Sequence, residues 1–217
     1  MKVLDLFYGL GGFSQAFKER GHEIVTVDIE EKFNPTICKD VLELTIEDLK
    51  SYMPFDVVLA SPPCTCFSIA SISTHWNPNR RPKETAKHAI AIVKKTLQLI
   101  EYLNPKFWIV ENPRGMLRKM SFMKVYHHKL ITLCQYGDTR MKPTDLWGKF
   151  PMVFSARRCY NNDNCHESAP RGSKTGTQGL PTSAERAKLP YGLSKELCSA
   201  CENPSIYNVW LTAEGEQ

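Results

Sequence analysis

Apolar and polar positions repeat a strand–helix rhythm along the first two-thirds of the chain. Residues 2–7 are apolar and β-compatible, centred on Val3-Leu4-Asp5-Leu6-Phe7. Gly9, Gly11 and Gly12 open a helix that runs to about Arg20, with Phe13, Ala16 and Phe17 on one face. Gly21 follows, as glycine commonly does just past a helix end. His22–Val27 is a second strand closing on Asp28, Ile37–Asp40 a short strand or turn, Ile46–Tyr52 a helix and Phe55–Ala60 a strand. Residues 61–82 form a loop long enough to mark function or disorder. From Lys83 to Leu103, Ile90, Val93, Leu97 and Ile100 recur at helical spacing. Phe107–Val110 is a strand ending in Glu111-Asn112, and 128–136 a later strand. The βαβαβ order predicts an α/β fold with a mostly parallel, doubly wound sheet over residues 1–150.

From about Phe150 the texture changes. Pro, Gly, Ser, Thr, Asn and Cys dominate up to Pro181, followed by short helical patterns at Ser183–Lys188 and Ser194–Glu202. Residues 151–217 therefore read as a small, irregular C-terminal region. The composition, 42% hydrophobic and 24% charged, supports a real core. A net charge of +5 permits a polyanionic partner without demanding one. The N-terminus has no signal-peptide pattern, and no stretch approaches the roughly 18 apolar residues of a membrane span. The expected compartment is a reducing cytoplasm, where eight cysteines suggest catalysis or metal rather than disulfides.

Two ends of the pattern carry chemistry. The first strand, glycine turn and helix form a ligand cradle: glycines admit close approach, and a helix N-terminus favours negative charge. Asp28 ends the second strand, where an acid hydrogen-bonds a ribose hydroxyl. A dinucleotide fits less well, because Gly9-Leu10-Gly11-Gly12-Phe13-Ser14 lacks the final glycine of G-x-G-x-x-G. Farther on, Ser61-Pro62-Pro63-Cys64 puts a thiol on a stiff turn at the carboxyl end of a buried strand. Glu111 ends another strand after a crossover helix, so both groups reach the sheet edge where open α/β sheets bind ligands. A thiolate with a nearby acid suits attack on a conjugated ring, the acid protonating or binding a ring nitrogen. Cys66, two residues on, has the weaker geometric claim.

With these segments in place, the chain closely resembles the C5 cytosine methyltransferase family, and in particular its small phage-type members. The resemblance rests on Asp5-Leu6-Phe7-x-Gly9-x-Gly11-Gly12-Phe13, Asp28, Asp40, Pro62-Pro63-Cys64-x-x-Phe67-Ser68, Glu111-Asn112 and Gln135-Tyr136-Gly137-Asp138-Thr139-Arg140, in family order across residues 1–150. It implies a Rossmann-like S-adenosylmethionine-dependent sheet and a DNA (cytosine-5)-methyltransferase, as found in restriction–modification systems. Cys64 would add to cytosine C6, Glu111 would contact N3 and the amino group, and Arg140 would contact the target nucleotide. Asp5, Phe7, Gly9, Gly11, Gly12, Asp28, Ile29, Asp40 and Pro62 would hold the cofactor. Double-stranded DNA would be the partner, its target cytosine flipped out of the stack, with a monomer as the working form. Ser68, Arg80, Arg81 and Lys142 would contact DNA, the 65–82 loop closing over the flipped base. Amino-methyltransferases carry an aromatic residue after Ser-Pro-Pro; Cys64 implies attack on carbon instead.

The chain departs from the family at several points. Thr65 stands where Gln is common after the catalytic cysteine, and Pro113 follows Glu111-Asn112 where Val is usual. The basic Q-x-R-x-R segment is partial, with Arg140 and Lys142 as its nearest pair. Neither a sizeable recognition domain nor the Gly-Asn-Ser-Val helix that returns to the cofactor pocket is recognisable. Residues 151–181 would then be a minimal recognition region, with Arg157, Arg158, Arg171, Lys174 and Gln178 following the phosphate backbone. Cys159-x5-Cys165 and Cys198-x2-Cys201 form a candidate structural zinc site, with His166 able to replace one ligand; free thiols are the alternative. Competing readings are an RNA cytosine-5 methyltransferase and a nucleic-acid-binding protein that needs a partner to supply the C-terminal helix.

Overall fold

The computed structural model describes residues 1–160, 163–167, 185 and 187–204. Seven strands form one sheet: β1 (Lys2–Leu6), β2 (Glu23–Asp28), β3 (Ile37–Cys38), β4 (Val57–Ala60), β5 (Phe107–Pro113), β6 (His128–Thr132) and β7 (Pro143–Lys149), in the order β3-β2-β1-β4-β5-β7-β6. Strands β1 to β5 pair in parallel, as the alternating pattern predicts, and β7 runs antiparallel between β5 and β6. Strand β7 escapes sequence reading because Pro143, Asp145 and Gly148 all argue against a strand. Asp145 enters the sheet because Arg118 and His128 both pair with it. Gly148 is needed because a Cβ there would lie 1.9 Å from the Trp108 carbonyl oxygen.

The helices described are α1 (Gln15–Glu19), α2 (Ile46–Lys50), α3 (Ile72–His75), α4 (Glu84–Leu103) and α5 (Tyr191–Glu202). The first is shorter than predicted: Gly9 and Gly11 adopt φ of +51° and +69°, which spends residues 8–14 on a turn. Residues 128–136 are not one strand either; β6 stops at Thr132 and a 3-10 turn, Leu133–Tyr136, ends on Gly137 at φ +97°. The 61–82 loop is ordered around Trp76, which is buried and donates its indole N–H to the Cys66 carbonyl at 2.6 Å.

Two buried clusters cover the sheet's faces. One holds Leu4, Leu6, Val58 and Ala60 with α4 residues Val93, Leu97 and Ile100. The other holds Val3, Val57, Leu59 and Ile109 with Phe13 and Phe17 beside α1, and with Leu193, Leu197, Cys198 and Cys201 of α5. At roughly 25 cal/mol per Å² of apolar area, two such layers are the main stabilising term. The α5 helix therefore does return to the sheet. Ser194 Oγ accepts from Ala16 N–H at 3.0 Å and donates to the Phe13 carbonyl at 2.7 Å, while Glu202 pairs with Arg20 and His22. No Gly-Asn-Ser-Val motif announces it; the buried i, i+4 pairs Leu193–Leu197 and Leu197–Cys201 do the packing instead. No helix among the described residues is long and apolar enough to cross a membrane.

Candidate active site

The site is built at the carboxyl ends of β1, β2, β4 and β5. A cavity of about 240 Å³ there is lined by Phe7, Asp28, Ile29 and Asp40 of the expected cofactor residues, and also by Lys39, Ser61, Pro63, His88 and Ile92. Phe7 leaves β1 at φ +66°, an uncommon conformation for a side-chain-bearing residue, and its N–H and that of Tyr8 both reach the Val27 carbonyl. Asp28 organises the glycine turn: its Oδ2 accepts from Gly9 N–H at 2.8 Å and its Oδ1 from Glu30 N–H at 2.9 Å. Each oxygen keeps a second lone pair for a ligand hydroxyl.

Four assigned cofactor residues, Asp5, Gly11, Gly12 and Pro62, lie outside the cavity lining. Asp5 is buried off the cavity, where its carboxylate accepts from Ser14 Oγ at 2.5 Å. Burial pushes its pKa up to about 7, with Asp28 adding to the rise and Ser14 opposing it. Gly12 is a docking point rather than a cradle: a Cβ there would lie 2.7 Å from the Leu189 carbonyl oxygen, just before α5. Gly11 is confined by the Tyr8 ring, with a Cβ approach of 2.8 Å. Pro62 is buried, and Pro63 takes its place in the lining. His88 and Ile92 were missed at the sequence level, although a spacing of four puts them on one face of α4.

The catalytic turn is clamped to β5. Asn112 Nδ2 donates to the Pro62 carbonyl at 3.0 Å, Met116 N–H donates to the Phe67 carbonyl at 2.8 Å, and Ser68 bridges Gly115. A Cβ on Gly115 would lie 2.1 Å from the Phe67 carbonyl oxygen, so only glycine allows this approach. Cys64 is partly buried; burial, then the Glu111 charge, raise its thiol pKa, and Lys142 opposes them. Cys66 instead turns its Sγ to the Thr85 carbonyl at 3.5 Å. Glu111 is 5% exposed, and burial pushes its pKa up to about 7, Lys142 lowering it and Asp145 raising it. Buried Asn112 Oδ1 has no hydrogen-bond partner, and Glu111 Oε1 and Ser61 Oγ have at most each other, Ser61 helping to lower the Glu111 pKa. Such atoms cost a few kcal/mol unless a ligand satisfies them.

The expected DNA contacts are scattered. Arg80 and Arg81 are exposed on the turn that follows Trp76. Ser68 caps the 3-10 turn Ile69–Ser71, accepting from Ala70 N–H. Lys142 lies instead within electrostatic reach of Cys64 and Glu111. Arg140 is buried and gripped by Asp138, with contacts of 2.9 and 2.6 Å. Arg157 pairs with Glu196 and covers the Tyr136 ring, and Arg158 donates to the Leu130 carbonyl, so both fasten the chain to itself. Arg171, Lys174 and Gln178 lie outside the described residues, as does half of the 183–188 pattern.

The four cysteines expected to gather do not. Cys159 and Cys165 lie together with Cys134 and His166, whereas Cys198 lies with His22 and Glu202. Cys198 and Cys201 face the core from α5, because their helical positions align with Leu197 on its buried side.

Residues 1–137 match the family model for C-5 cytosine-specific DNA methylases. A probable DNA (cytosine-5)-methyltransferase of Frog virus 3 (isolate Goorha) is 30% identical over 222 residues, covering 93% of this chain and 100% of the viral protein. The type II methyltransferase M.DdeI of Desulfomicrobium norvegicum is 27% identical over 143 residues, 60% of this chain and 32% of that enzyme. Among solved structures, a putative DNA modification methyltransferase of an Escherichia coli prophage superposes with a TM-score of 0.52 at 20% identity, covering 68% of this chain and 46% of that one. The chain thus spans the whole viral relative, but about a third of the bacterial enzyme and about half of the prophage protein. It belongs to the C-5 cytosine-specific DNA methylases, a family of S-adenosylmethionine-dependent DNA (cytosine-5)-methyltransferases.

Proposed function

We propose that this chain methylates C5 of a cytosine flipped out of double-stranded DNA, through a covalent bond between Cys64 Sγ and cytosine C6, and that a monomer in the cytoplasm suffices. The observation that carries the reading is the buried Glu111 carboxyl, met at most by Ser61, beside a cysteine on a clamped turn. A cytosine edge offers an acceptor at N3 and donors at its amino group, a match for a carboxyl group in either protonation state. With a pKa near 7, Glu111 holds a proton part of the time at neutral pH. Two negative charges at Cys64 and Glu111 oppose each other, so the thiolate is favoured when Glu111 carries the proton. Lys142 supplies the compensating positive charge.

In the proposed sequence, Cys64 Sγ forms a bond to C6 while Glu111 gives its proton to N3, and the electron pair moves to C5. S-Adenosylmethionine held in the cavity would supply the electrophilic methyl group to that carbon, its methyl–sulfur bond breaking to leave S-adenosylhomocysteine. The C5 proton then leaves to solvent, the Sγ–C6 bond breaks, and the proton on N3 returns to Glu111. Phe7, Ile29 and Pro63 offer the cofactor apolar surface, Asp28 its free lone pairs, and Asp40 a carboxylate whose Oδ1 already takes Leu42 N–H. Exposed Arg80 and Arg81 would meet phosphates.

The deciding experiment is nucleoside mass analysis of duplex DNA after incubation with S-adenosylmethionine and purified protein, beside Cys64→Ala. 5-Methylcytosine formed by the unsubstituted protein alone supports the reading. Product on matched RNA but not on DNA overturns the substrate. Cofactor binding with no product on either overturns self-sufficiency and points to a partner subunit.

A further inference from the structure

The Cys134, Cys159, Cys165 and His166 side chains form a group that methyl transfer does not use. Their ligand atoms all lie within 4.8 Å of one another. Cys165 Sγ is 3.7 Å from Cys134 Sγ, and His166 Nδ1 is 3.7 Å from both Cys159 Sγ and Cys165 Sγ. A tetrahedron with Zn–S of about 2.3 Å and Zn–N of about 2.0 Å has edges of roughly 3.6 to 3.8 Å. Three observed separations match those edges. The fourth, Cys134 to Cys159, is 3.1 Å and needs a small opening. A disulfide would need that pair to close to about 2.0 Å. It would leave the convergence of Cys165 and His166 unexplained.

We propose that this chain binds one zinc ion through Cys134, Cys159 and Cys165 Sγ and His166 Nδ1. Three thiolates and an imidazole suit zinc by softness, and four protein ligands make a closed structural site. The surroundings are built for it. Gln135 Nε2 donates to Cys165 Sγ at 3.2 Å, the kind of outer contact that orients a ligand. Cys159 N–H donates to Thr132 Oγ1 at 2.7 Å, and Thr132 N–H reaches the Arg157 carbonyl at 3.1 Å. Cys159 is thereby tied to the end of β6 and Cys165 to the turn that follows it.

The ion would reinforce two stretches that are otherwise joined by hydrogen bonds and the Arg157–Tyr136 contact. Cys134 begins the turn that leads to Asp138 and Arg140, and Cys159 to His166 belong to the C-terminal region. Glu167 N–H already meets the Thr139 carbonyl at 2.8 Å, next to Arg140. A small region poor in apolar residues gains most from such a staple. The site is independent of the methyl-transfer reading and stands or falls separately.

The test is metal analysis by plasma mass spectrometry of the whole chain, purified under reducing conditions without chelator, followed by cobalt titration of stripped protein. The expected result is one zinc per chain and a tetrahedral thiolate–cobalt spectrum. Cys165→Ser and His166→Ala should each cut zinc content at least tenfold under mild chelation, with near-native circular dichroism because both positions are partly exposed. Cys198→Ser should keep its zinc. Folded protein that neither carries zinc nor takes up cobalt overturns the proposal. So does loss of metal in Cys198→Ser alone, or a Cys134–Cys159 disulfide in the reduced preparation.

Discussion

Asp5 and Glu111 are both buried carboxyl groups at the carboxyl edge of the sheet, and burial pushes both to a pKa of about 7. Their surroundings differ. Asp5 is hydrogen-bonded by Ser14 Oγ and shores up the glycine turn from behind. Glu111 has at most Ser61 as a weak partner, and buried Asn112 Oδ1 nearby has none. A perturbed carboxyl group alone does not separate scaffold from chemistry; what separates them is whether the fold has already satisfied it.

The largest expected effect belongs to the catalytic region. Cys64→Ala should lower methyl transfer by at least about a thousandfold while cofactor binding, read by calorimetry, stays intact. Cys66→Ala should cost less than about tenfold, because its thiol faces Thr85. Glu111→Gln should cost roughly 10²- to 10⁴-fold in kcat. The same change should stabilise the protein. A carboxyl whose folded pKa is raised from 4.5 to about 7 destabilises nothing below pH 4.5, increasingly between those values, and fully above 7. Glu111→Gln should therefore gain on the order of 3 kcal/mol at pH 8 relative to its effect at pH 4, by denaturant titration.

Asp5→Asn sharpens the contrast. It should flatten the same stretch of the stability–pH curve, between about 4 and 7, yet leave methyl transfer within about tenfold. If it matches Glu111→Gln in lost activity, the distinction drawn between the two regions is broken. Lys142→Gln should lower kcat about tenfold and move the alkaline rise of single-turnover rate to higher pH, since a cation that favours the Cys64 thiolate is gone. Lys142→Arg should restore most of it. The smallest effect is on DNA: the pair Arg80→Ala and Arg81→Ala should flatten the slope of log affinity against log salt by up to about 2, without changing kcat.

The parallel half of the sheet was legible because β1, β2, β4 and β5 are short apolar runs bounded by glycines and turns. The Cys64 and Glu111 placement followed from that order alone, since successive parallel strands deliver their ends to one edge. Strand β7 was not legible: its Asp145 is tolerated only through Arg118 and His128, contacts made across the fold. The cysteine grouping failed for a related reason. Spacing within Cys198-x2-Cys201 suggested ligands, but helical geometry turned both thiols into the core, while Cys134 looked like strand filler until the Gly137 turn brought it to Cys159. The Gly12 contact was not legible, because glycine serves equally for ligand approach and backbone contact and Leu189 is far away in sequence.

That contact between Gly12 and the Leu189 carbonyl also sets a clock. The turn that backs the cofactor cavity and the segment that seats against it are far apart in sequence, and Ser194 closes on Phe13 across 181 positions. Such distant contacts form late, after the sheet has collapsed. The sheet and its glycine turn therefore assemble first, and α5 seats behind them last.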